Sequence, residues 1–464
     1  MAGEFEGKNV LIFGLGHFGG QIEAARFFAR RGARVVATDL KPKEKLAEAL
    51  RALEQERITW RLGGHREEDF LGADLVVVSP AVPTTSPFLE FVRARRIPWT
   101  TELNLTVSRL KAPIVAVTGS NGKSTTTALL GAVLEEAGFE TYVGGNIGRS
   151  LLHLASDIPA TAFAVLEISS FQLEGLEAAG GIRPRAAVVL NITPNHLDRH
   201  GTIERYAEAK RCLVARQGED GAAILNREDE RVLAFREFTR ARIFTFGFGN
   251  RFEGPGAFLR NGEIALRDEQ GNEEAILDSR ALRLPGRHNL ANALAACAAA
   301  AALSLDRRAL SRALERFEGI PHRLETVRER NGVRYVNDSK ATTPEAAAAG
   351  LEACEQPLVL IAGGSDKGAD YFPLARTAAL RAETVLLIGA TRERLKEEIA
   401  RARGGAPRPE IALCATLEEA VSRAEALSRP GTTVLFSPAC ASYDMFSSFE
   451  ERGERFRAVV RSLP

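Results

Sequence analysis

The sequence predicts an α/β protein of three successive units, each built on a largely parallel sheet. Three times an apolar run ends in a glycine-rich turn that gives way to a helical pattern: 10–13 into GLGHFGG, 114–117 into TGSNGKST and 358–361 into AGGSDKG. Such a start directs backbone N–H groups and the helix dipole toward an anion. The starts are a domain apart, so they indicate three α/β domains and not a short-period repeat.

Two interruptions mark the predicted domain boundaries. Segment 100–113 follows the last extended run of the first unit, and Gly and Pro interrupt a helical pattern at 317–323. The sequence therefore predicts domains at 1–102, 103–320 and 321–464. Three domains are the number expected for a chain of this length at about 150 residues per domain.

The composition is that of an ordinary globular protein and excludes several classes. A formal net charge of +1 over 464 residues favours neither nucleic acid nor a membrane surface as a partner. The first residues lack a basic stretch before an apolar run, so we expect no signal peptide. Five scattered cysteines without a CxxC pair suit a reducing cytoplasm. The alanine-rich stretch 293–303 is too short to span a membrane and predicts a buried helix.

The first glycine-rich turn has the dinucleotide-binding pattern. Gly14, Gly16 and Gly19 form GxGxxG after a buried strand, and Asp39 follows at the end of a second apolar run. This spacing is typical of a turn that holds a diphosphate beside an acid that binds a ribose hydroxyl. Taken alone, the motif allows an NAD-dependent oxidoreductase.

The second turn is a phosphate loop. A strand, a glycine-rich turn and then Lys123-Ser124 opening a helix place backbone amides around a phosphate. Lys123 can reach the terminal phosphates of a nucleotide, and the Ser124 hydroxyl can ligate Mg²⁺. Val117 stands where the strict pattern has its first glycine.

Polar side chains follow the next two predicted strands of the same unit. Glu167 closes one apolar run, and the run at 188–190 leads to His196. Carboxyl ends of parallel strands meet at one sheet edge, which makes Glu167 a candidate Mg²⁺ ligand and His196 a candidate site residue. Lys210 lies in a helical stretch and alone suggests a solvated lysine.

The third unit carries three polar loops at predicted strand ends. They are 337–343 with Asp338 and Lys340, 362–370, and 437–446. Each could be an ordinary turn, with Asp338 as a turn cap and Lys340 as a surface cation, but three together suggest a ligand that bears a carboxylate or a phosphate.

These motifs, in this order, resemble the Mur ligases, the ATP-dependent amide-bond ligases of peptidoglycan synthesis. The loop TGSNGKST and the pair His288-Asn289 are similar to the whole superfamily. More specific are GGNIG at 144–148, LEISSFQLE at 166–174, PGRHNLANALAA at 285–296, PHR at 321–323, NDSKAT at 337–342, GGSDKGAD at 363–370 and SPACASYDMFSSFEERG at 437–453. NDSKAT and the last motif point to the D-glutamate-adding member.

The resemblance implies a Rossmann-like domain for a UDP-linked substrate, a central P-loop ATPase-type domain and a C-terminal Rossmann-like domain that binds D-glutamate. It implies ATP and two Mg²⁺ ions, and no NAD. The expected substrates are UDP-N-acetylmuramoyl-L-alanine and D-glutamate, joined through an acyl phosphate. We expect a cytoplasmic monomer that binds no nucleic acid and does not insert into a membrane.

The same resemblance assigns roles to individual residues. The expected catalytic residues are Lys123, Glu167, His196 and Lys210, with Lys210 carried as a carbamate. The expected metal ligands are Ser124, Glu167, His196 and the Lys210 carbamate. The expected ATP contacts are Gly119, Ser120, Asn121, Gly122, Lys123, Ser124, Thr125, Asn289, Asn292, Arg323, Asp338 and Lys340. The expected contacts of the UDP-linked substrate are Gly14, Gly16, His17, Phe18, Asp39, Leu40, Lys41, Ser79, Ala81, Asn146 and His196. The expected D-glutamate contacts are Thr342, Lys367, Ser442 and Phe449. The sequence departs from the family pattern at 17–18 and 40–41.

Three alternatives remain at this point. An NAD-dependent oxidoreductase would explain the first motif alone. A sibling ligase, of another Mur step or of the folylpolyglutamate type, would use a different amino acid. A nucleotide-binding regulator without catalysis is disfavoured because the lysine, carboxylate and histidine candidates occur together.

Overall fold

The computed structural model describes residues 3–15, 19–146, 150–178, 181–249, 253–284, 286–366 and 369–464. This part of the chain contains three sheets flanked by helices. The protein divides into two compact units, Met1–Phe317 and Glu318–Pro464. The predicted α/β class is confirmed, and the boundaries after residues 102 and 320 stay predictions.

The first sheet occupies the first hundred residues. Its strands are β1 (Asn9–Phe13), β2 (Arg34–Asp39), β3 (Ile58–Leu62), β4 (Leu75–Val78) and β5 (Trp99–Thr100), with helices α1 (Gly19–Ala29), α2 (Ala47–Ala52), α3 (Glu67–Leu71) and α4 (Pro87–Ala94). All strands are parallel in the order β3-β2-β1-β4-β5. In central β1 the four residues after Asn9 are apolar because they enter two apolar clusters alternately, Val10 and Ile12 in one and Leu11 and Phe13 in the other.

Helix α5 (Glu102–Arg109) leads into the second sheet, which belongs to the same compact unit. The strands are β6 (Ile114–Thr118), β7 (Thr141–Gly145), β8 (Phe163–Glu167), β9 (Ala186–Val189), β10 (Ala222–Asn226), β11 (Arg242–Phe248), β12 (Gly256–Arg260), β13 (Glu263–Arg267) and β14 (Glu273–Asp278). Their order is β14-β13-β12-β11-β10-β9-β6-β8-β7, parallel except where β13 pairs with β12 and with β14. The predicted strand of the phosphate loop is β6, between β8 and β9.

The helices of the second sheet are α6 (Lys123–Glu136), α7 (Ser170–Ala178), α8 (Leu197–His200), α9 (Ile203–Ala215), α10 (Glu230–Leu233), α11 (Arg287–Ala302) and α12 (Arg307–Arg316). The alanine-rich stretch is α11, and its residues from Asn292 to Ala302 are buried. The predicted buried helix is thus confirmed. Small side chains let α11 pack closely against the sheet and α6, in one apolar cluster with strands β6 and β9 to β11.

The second unit contains the third sheet. Its strands are β15 (Glu325–Arg330), β16 (Val333–Asn337), β17 (Leu358–Ala362), β18 (Thr384–Leu387), β19 (Glu410–Leu413) and β20 (Thr433–Phe436), and its helices are α13 (Pro344–Ala353), α14 (Phe372–Arg381), α15 (Arg392–Arg403), α16 (Leu417–Leu427) and α17 (Phe449–Ser462). The order is β15-β16-β20-β17-β18-β19, and β15 is antiparallel to β16 while the rest are parallel. The predicted strand 358–361 is β17.

Within the described ranges, no helix is both long enough and apolar enough to cross a membrane.

Candidate active site

The candidate site of the first unit lies at the carboxyl edge of the second sheet. Strands β7, β8, β6 and β9 are parallel neighbours, so the loops that follow them leave the same edge. Glu167 ends β8, and Asn146 follows β7. The sequence predicted Glu167 at a strand end, and the family resemblance implied Asn146 as a contact of the acceptor substrate; the sheet order brings the two together.

The phosphate loop after β6 is held in shape by the loop after β9. The backbone N–H of Asn121 donates to the Asn191 side chain at 2.8 Å, and Asn191 Nδ2 donates to Asn121 O at 3.1 Å. Ser120 N donates to Asn191 O at 2.9 Å, and Ser120 Oγ donates to Thr193 O at 3.1 Å. A loop fixed by another loop is pre-organised, so little ordering is needed when its amides bind an anion. Asn191 has no predicted role, and its place directly after the apolar run 188–190 is the sequence signal for it.

Gly122 is where the loop requires glycine. It caps α6 with φ of +85°, and a Cβ there would collide with Asn292 Oδ1. The cradle is therefore shaped by the absence of a side chain.

Replacing Gly122 with alanine is expected to destabilise the first unit by about 1–3 kcal/mol and to weaken ADP binding, because Asn292 must turn away. Thermal unfolding and calorimetric titration with ADP measure the two effects. Gly138→Ala is the matched control: its φ is +88° but no atom lies within 4 Å of the added Cβ. Equal losses in the two variants would show that Asn292 does not matter.

Two lysines share one carbonyl oxygen at the phosphate loop. Lys123 Nζ donates to Gly119 O at 3.0 Å and to Ser120 O at 2.9 Å. Lys210 Nζ donates to the same Gly119 O at 3.0 Å. Lys210 is 1% exposed. Burial, together with the nearby Lys123 ammonium, lowers the pKa of Lys210 well below its ordinary value.

The interpretation of Lys210 as a solvated helix lysine is therefore wrong for this fold. Helix α9 turns the side chain into the core, toward Gly119 and the ring of Tyr206, whose centroid lies 4.5 Å from Lys210 Nζ. Tyr206 is 1% exposed, and its hydroxyl oxygen lies 3.1 Å from Ser120 Oγ. Tyr206 has no predicted role; its position four residues before Lys210, on the same helix face, is the available sequence signal.

Glu167 has one carboxylate oxygen paired and one unpaired. Asn146 Nδ2 donates to Oε1 at 2.8 Å, and the Asn146 N–H donates to Glu167 O at 2.8 Å. Oε2 is buried and has no hydrogen-bond partner in the described part of the chain. A buried, unpaired carboxylate oxygen is costly unless a cation balances it.

These residues fit a magnesium ion. Mg²⁺ takes oxygen ligands, often one or two carboxylates with substrate phosphates, and Glu167 Oε2 and the buried Ser124 hydroxyl have that chemistry. Within the described ranges, no three His, Cys, Asp or Glu side chains form a ready-made metal cluster.

His196 precedes α8 in the left-handed region, with φ of +53°. Its exposed ring packs against the Phe171 ring at 4.9 Å between centroids.

Two predicted nucleotide contacts are neighbours on α11, near the phosphate loop. Buried Asn292 donates to Asn289 Oδ1 at 3.4 Å. Thr125 is half-buried on the first turn of α6.

The predicted contacts of the UDP-linked substrate lie at the carboxyl edge of the first sheet. Asp39 accepts from the N–H of Leu15 at 2.9 Å and of Lys41 at 2.8 Å, so it ties the loop after β1 to that after β2. Gly14 has φ of +78°, and Leu40 is 69% exposed. In the turn after β4, Ala81 N donates to Ser79 Oγ at 3.3 Å.

Four predicted site residues lie outside the described residues. They are Gly16, His17, Phe18 and Lys367. Their assignments stay predictions.

The second unit contains its own polar cluster at the carboxyl edge of the third sheet. Strands β16 and β17 both pair with β20, so the NDSKAT loop lies beside loop 437–446. Ala439 N donates to Ala341 O at 2.9 Å, next to predicted contacts Lys340 and Thr342. Ser442 is buried in the same loop, and Phe449 begins α17.

Buried Arg452, a residue of the motif 437–453 without a predicted role of its own, joins the loops of this cluster. Its guanidinium donates to Ser339 Oγ at 3.0 Å, Ser339 O at 2.8 Å and Cys440 O at 3.0 Å, and Ser339 Oγ donates to Phe449 O at 2.8 Å. The predicted contacts Thr342, Ser442 and Phe449 therefore flank one rigid core. The sequence signal for Arg452 is weak, because an arginine on a helix usually faces solvent.

Asp338 is buried, not an exposed turn cap. Ser437 Oγ donates to Oδ2 at 2.7 Å and Leu324 N donates to Oδ1 at 3.2 Å. Burial raises the pKa of Asp338 to about 6. Arg323, its exposed neighbour in the PHR motif, acts against this rise.

Replacing Asp338 with asparagine is expected to raise the free energy of unfolding at pH 8 by about 1–3 kcal/mol. The folded protein holds this proton more tightly than the unfolded chain, so its ionisation costs stability as the pH rises from about 4 through about 6. Denaturant unfolding at pH 4 and pH 8 measures the effect. Glu329→Gln, at an exposed carboxylate, is the control. If D338N raised the free energy of unfolding equally at both pH values, the raised pKa of Asp338 would be contradicted.

Three family models match the chain in sequence order. They are the Mur ligase MurD-like N-terminal domain over residues 8–100, the Mur ligase middle domain over 117–300 and the Mur ligase glutamate ligase domain over 322–440. With a relative 43% identical along 99% of its length, the chain belongs to the Mur ligase family and is a ligase. The resemblance seen in the motifs is confirmed.

Among the relatives is the UDP-N-acetylmuramoylalanine–D-glutamate ligase of Geobacter metallireducens, 43% identical over 460 residues, which are 99% of this chain and 98% of the relative. The enzyme of that name from Pelotomaculum thermopropionicum is 42% identical over 463 residues, 100% of this chain and 99% of the relative.

Solved structures share the fold at lower identity. The UDP-N-acetylmuramate-alanine ligase MurC of Thermotoga maritima matches with a TM-score of 0.55 and 21% identity, over 98% of this chain and 99% of that one. A pseudomurein peptide ligase type C from Methanothermus fervidus matches with a TM-score of 0.54 and 19% identity, over 98% and 100%.

Proposed function

We propose that this chain adds D-glutamate to UDP-N-acetylmuramoyl-L-alanine at the expense of ATP, in the synthesis of peptidoglycan precursors. The observation that carries the proposal is the cluster of Lys123, Lys210 and Glu167 around the phosphate loop. The names of the relatives and the NDSKAT loop of the second unit support D-glutamate as the amino acid.

The chemistry needs an activated carboxylate. An oxygen of the alanine carboxylate attacks the γ-phosphorus of ATP, the bond to the ADP oxygen breaks, and an acyl phosphate forms. The amine of D-glutamate then attacks the acyl carbon, loses a proton and expels inorganic phosphate, leaving the amide. Phosphoryl transfer of this kind depends on positioning and charge neutralisation more than on covalent help from the protein.

The first unit supplies that positioning. The amides of 119–122 cradle the phosphates, and Lys123 exchanges its bonds to the Gly119 and Ser120 carbonyls for phosphate oxygens. Ser124, Glu167, His196 and the carbamate of Lys210 would hold two Mg²⁺ ions, which neutralise phosphate charge when bound. Asn146 and His196 contact the acceptor substrate.

The low pKa of Lys210 supports the carbamate. Only an uncharged amine attacks CO₂: the nitrogen forms a bond to carbon and releases a proton, which turns a cation into an anion. Burial beside Lys123 keeps the Lys210 amine uncharged at a pH where an exposed lysine is an ammonium.

The second unit supplies the remaining contacts. D-glutamate is held by Thr342, Lys367, Ser442 and Phe449. ATP is contacted by Arg323, Asp338 and Lys340.

The proposal is tested by ADP release in a coupled assay with a substrate panel. The acceptors are UDP-N-acetylmuramoyl-L-alanine, UDP-N-acetylmuramate and a folate; the amino acids are D-glutamate, L-glutamate, L-alanine and a diamino acid. We expect turnover only with the first acceptor and D-glutamate together, and a product of the matching mass. ADP release that is indifferent to either would overturn the proposal, and release with another pair would identify a sibling ligase.

A further inference from the structure

A carboxylate on α7 holds two consecutive residues of α8. His200 Nδ1 lies 3.1 Å from Glu174 Oε1, and Arg199 donates to Glu174 Oε2 from Nη2 at 2.8 Å and from Nε at 3.2 Å. The side chains of His200, Arg199 and Glu174 are 2%, 11% and 20% exposed. Largely buried and charge-assisted, these hydrogen bonds are stronger than surface ion pairs.

His200 also reaches the first turn of α7. Its Nε2 lies 3.0 Å from Ser170 Oγ, so one imidazole bridges Ser170 and Glu174, which are four residues apart on one helix face. The same order of serine, histidine and carboxylate occurs in hydrolases. Here Ser170 is 3% exposed, so a substrate cannot reach its hydroxyl, and the arrangement holds α8 in place.

The position of His196 depends on α8. This helix has four residues and is too short to be stable by itself. Its first hydrogen bonds run from the N–H groups of Arg199 and His200 to His196 O, at 3.1 and 3.0 Å. Side chains that fix Arg199 and His200 on α7 therefore fix the backbone of His196, which sits in the left-handed region directly before the helix.

Arg199 extends the connection to the first sheet. Its Nη1 donates to Ala81 O at 3.3 Å, in the turn after β4. Glu174 thus links this turn, one expected contact of the UDP-linked substrate, with His196, another. Neither contact involves the phosphate loop.

We propose that Glu174 and His200 are positioning residues for the acceptor substrate, which set His196 relative to the turn at Ala81. The proposal rests on the proposed function. Loss of the pair should impair the binding and reaction of the acceptor substrate. It should leave the binding of ATP to the phosphate loop unchanged.

The test uses Glu174→Gln, His200→Phe and the double variant. Glutamine keeps the shape of the side chain and phenylalanine keeps the ring, so both preserve packing while removing the pairing. We expect kcat/KM for the acceptor to fall about 10- to 100-fold in each single variant, since small misplacements of a reacting group cost this much. ADP affinity should stay near that of wild type, while the midpoint of thermal unfolding falls by a few degrees because buried hydrogen bonds are lost.

The double variant separates a coupled pair from two independent residues. If Glu174 and His200 position His196 together, kcat/KM for the acceptor falls no further in E174Q/H200F than in the worse single variant. A double variant whose loss is the product of the two single losses would contradict the proposal. Glu136→Gln, which breaks a surface pair with Arg312 and Arg316, is the matched control and should behave as wild type. Unchanged acceptor kinetics in E174Q and H200F, or equal losses for acceptor and ADP, would overturn it.

A second readout needs no turnover. In protein labelled with ¹³C-histidine, the His196 resonance, assigned through H196Q, should shift in E174Q and H200F and stay in place in E136Q. If wild type turns over no acceptor, the proposed function fails while this measurement still decides whether the pair positions His196. A His196 resonance that is the same in all variants would refute the positioning role.

Discussion

Replacing Lys210 with alanine is expected to lower kcat by about a hundred- to a thousandfold, the usual cost of removing one pre-organised charged group from a phosphoryl-transfer site. Lys210 is buried against Gly119 and Tyr206, beside Lys123. As an ammonium it would add a second buried positive charge next to Lys123, and burial disfavours that form. As a carbamate it supplies an anion where charge must be balanced.

Lys210→Arg distinguishes these two roles. Arginine stays charged and forms no carbamate, so K210R should be as inactive as K210A; near-normal turnover in K210R would show that only a cation is needed. Removing dissolved CO₂ should lower wild-type activity and bicarbonate should restore it. A carbamate carbon signal from ¹³C-bicarbonate should appear in wild type and in the surface control Lys396→Ala, and be absent in K210A. Near-normal turnover of K210A would refute the carbamate role.

Replacing Glu167 with glutamine is expected to lower kcat by about a hundredfold or more while leaving the fold as stable as before or more stable. Glutamine can still accept the hydrogen bond from Asn146 Nδ2, so the contact between β7 and β8 is kept. What is lost is the charge on a buried oxygen that has no partner among the described residues. A buried carboxylate charge without a hydrogen-bond partner is costly to fold unless a cation balances it.

The measurement pairs activity against Mg²⁺ concentration with thermal unfolding in EDTA. E167Q should need more Mg²⁺ for half-maximal activity and unfold no earlier than wild type without metal. Glu140→Gln, an exposed carboxylate before β7, serves as the control and should change neither quantity. An E167Q variant that unfolds earlier in EDTA with an unchanged Mg²⁺ requirement would assign Glu167 a structural role.

Much of the fold could be read from local patterns. Apolar runs 10–13, 114–117 and 358–361 predicted the strands because a strand covered on both faces must be apolar throughout. The position of Gly122 and Lys123 after such a run predicted the phosphate loop, since a glycine-rich turn before a helix leaves amides free for an anion. These features depend on neighbours in sequence, so they could be predicted without the structure.

Pairings between distant segments could not be predicted in this way. Asn191 and Ser120 meet because β9 pairs with β6, and buried Arg452 bonds with Ser339, which lies 113 residues earlier. Asp338, taken singly, could be a turn cap. In the structure it is buried and accepts a hydrogen bond from Ser437, a residue 99 positions later in the chain. Strand order decides which loops become neighbours, and nothing local in the sequence states that order.

By itself, the sequence determined the α/β class, the phosphate loop with Lys123, and Glu167 as a strand-end carboxylate. Only the tertiary structure decided that Lys210 is buried, because its surroundings come from Gly119, 91 residues away, and from the packing of α9. It likewise decided that Glu174 and His200 hold the segment of His196. Local sequence sets backbone preference and capping, whereas the pKa of an amine and the aim of a side chain are set by the residues that the fold packs around them.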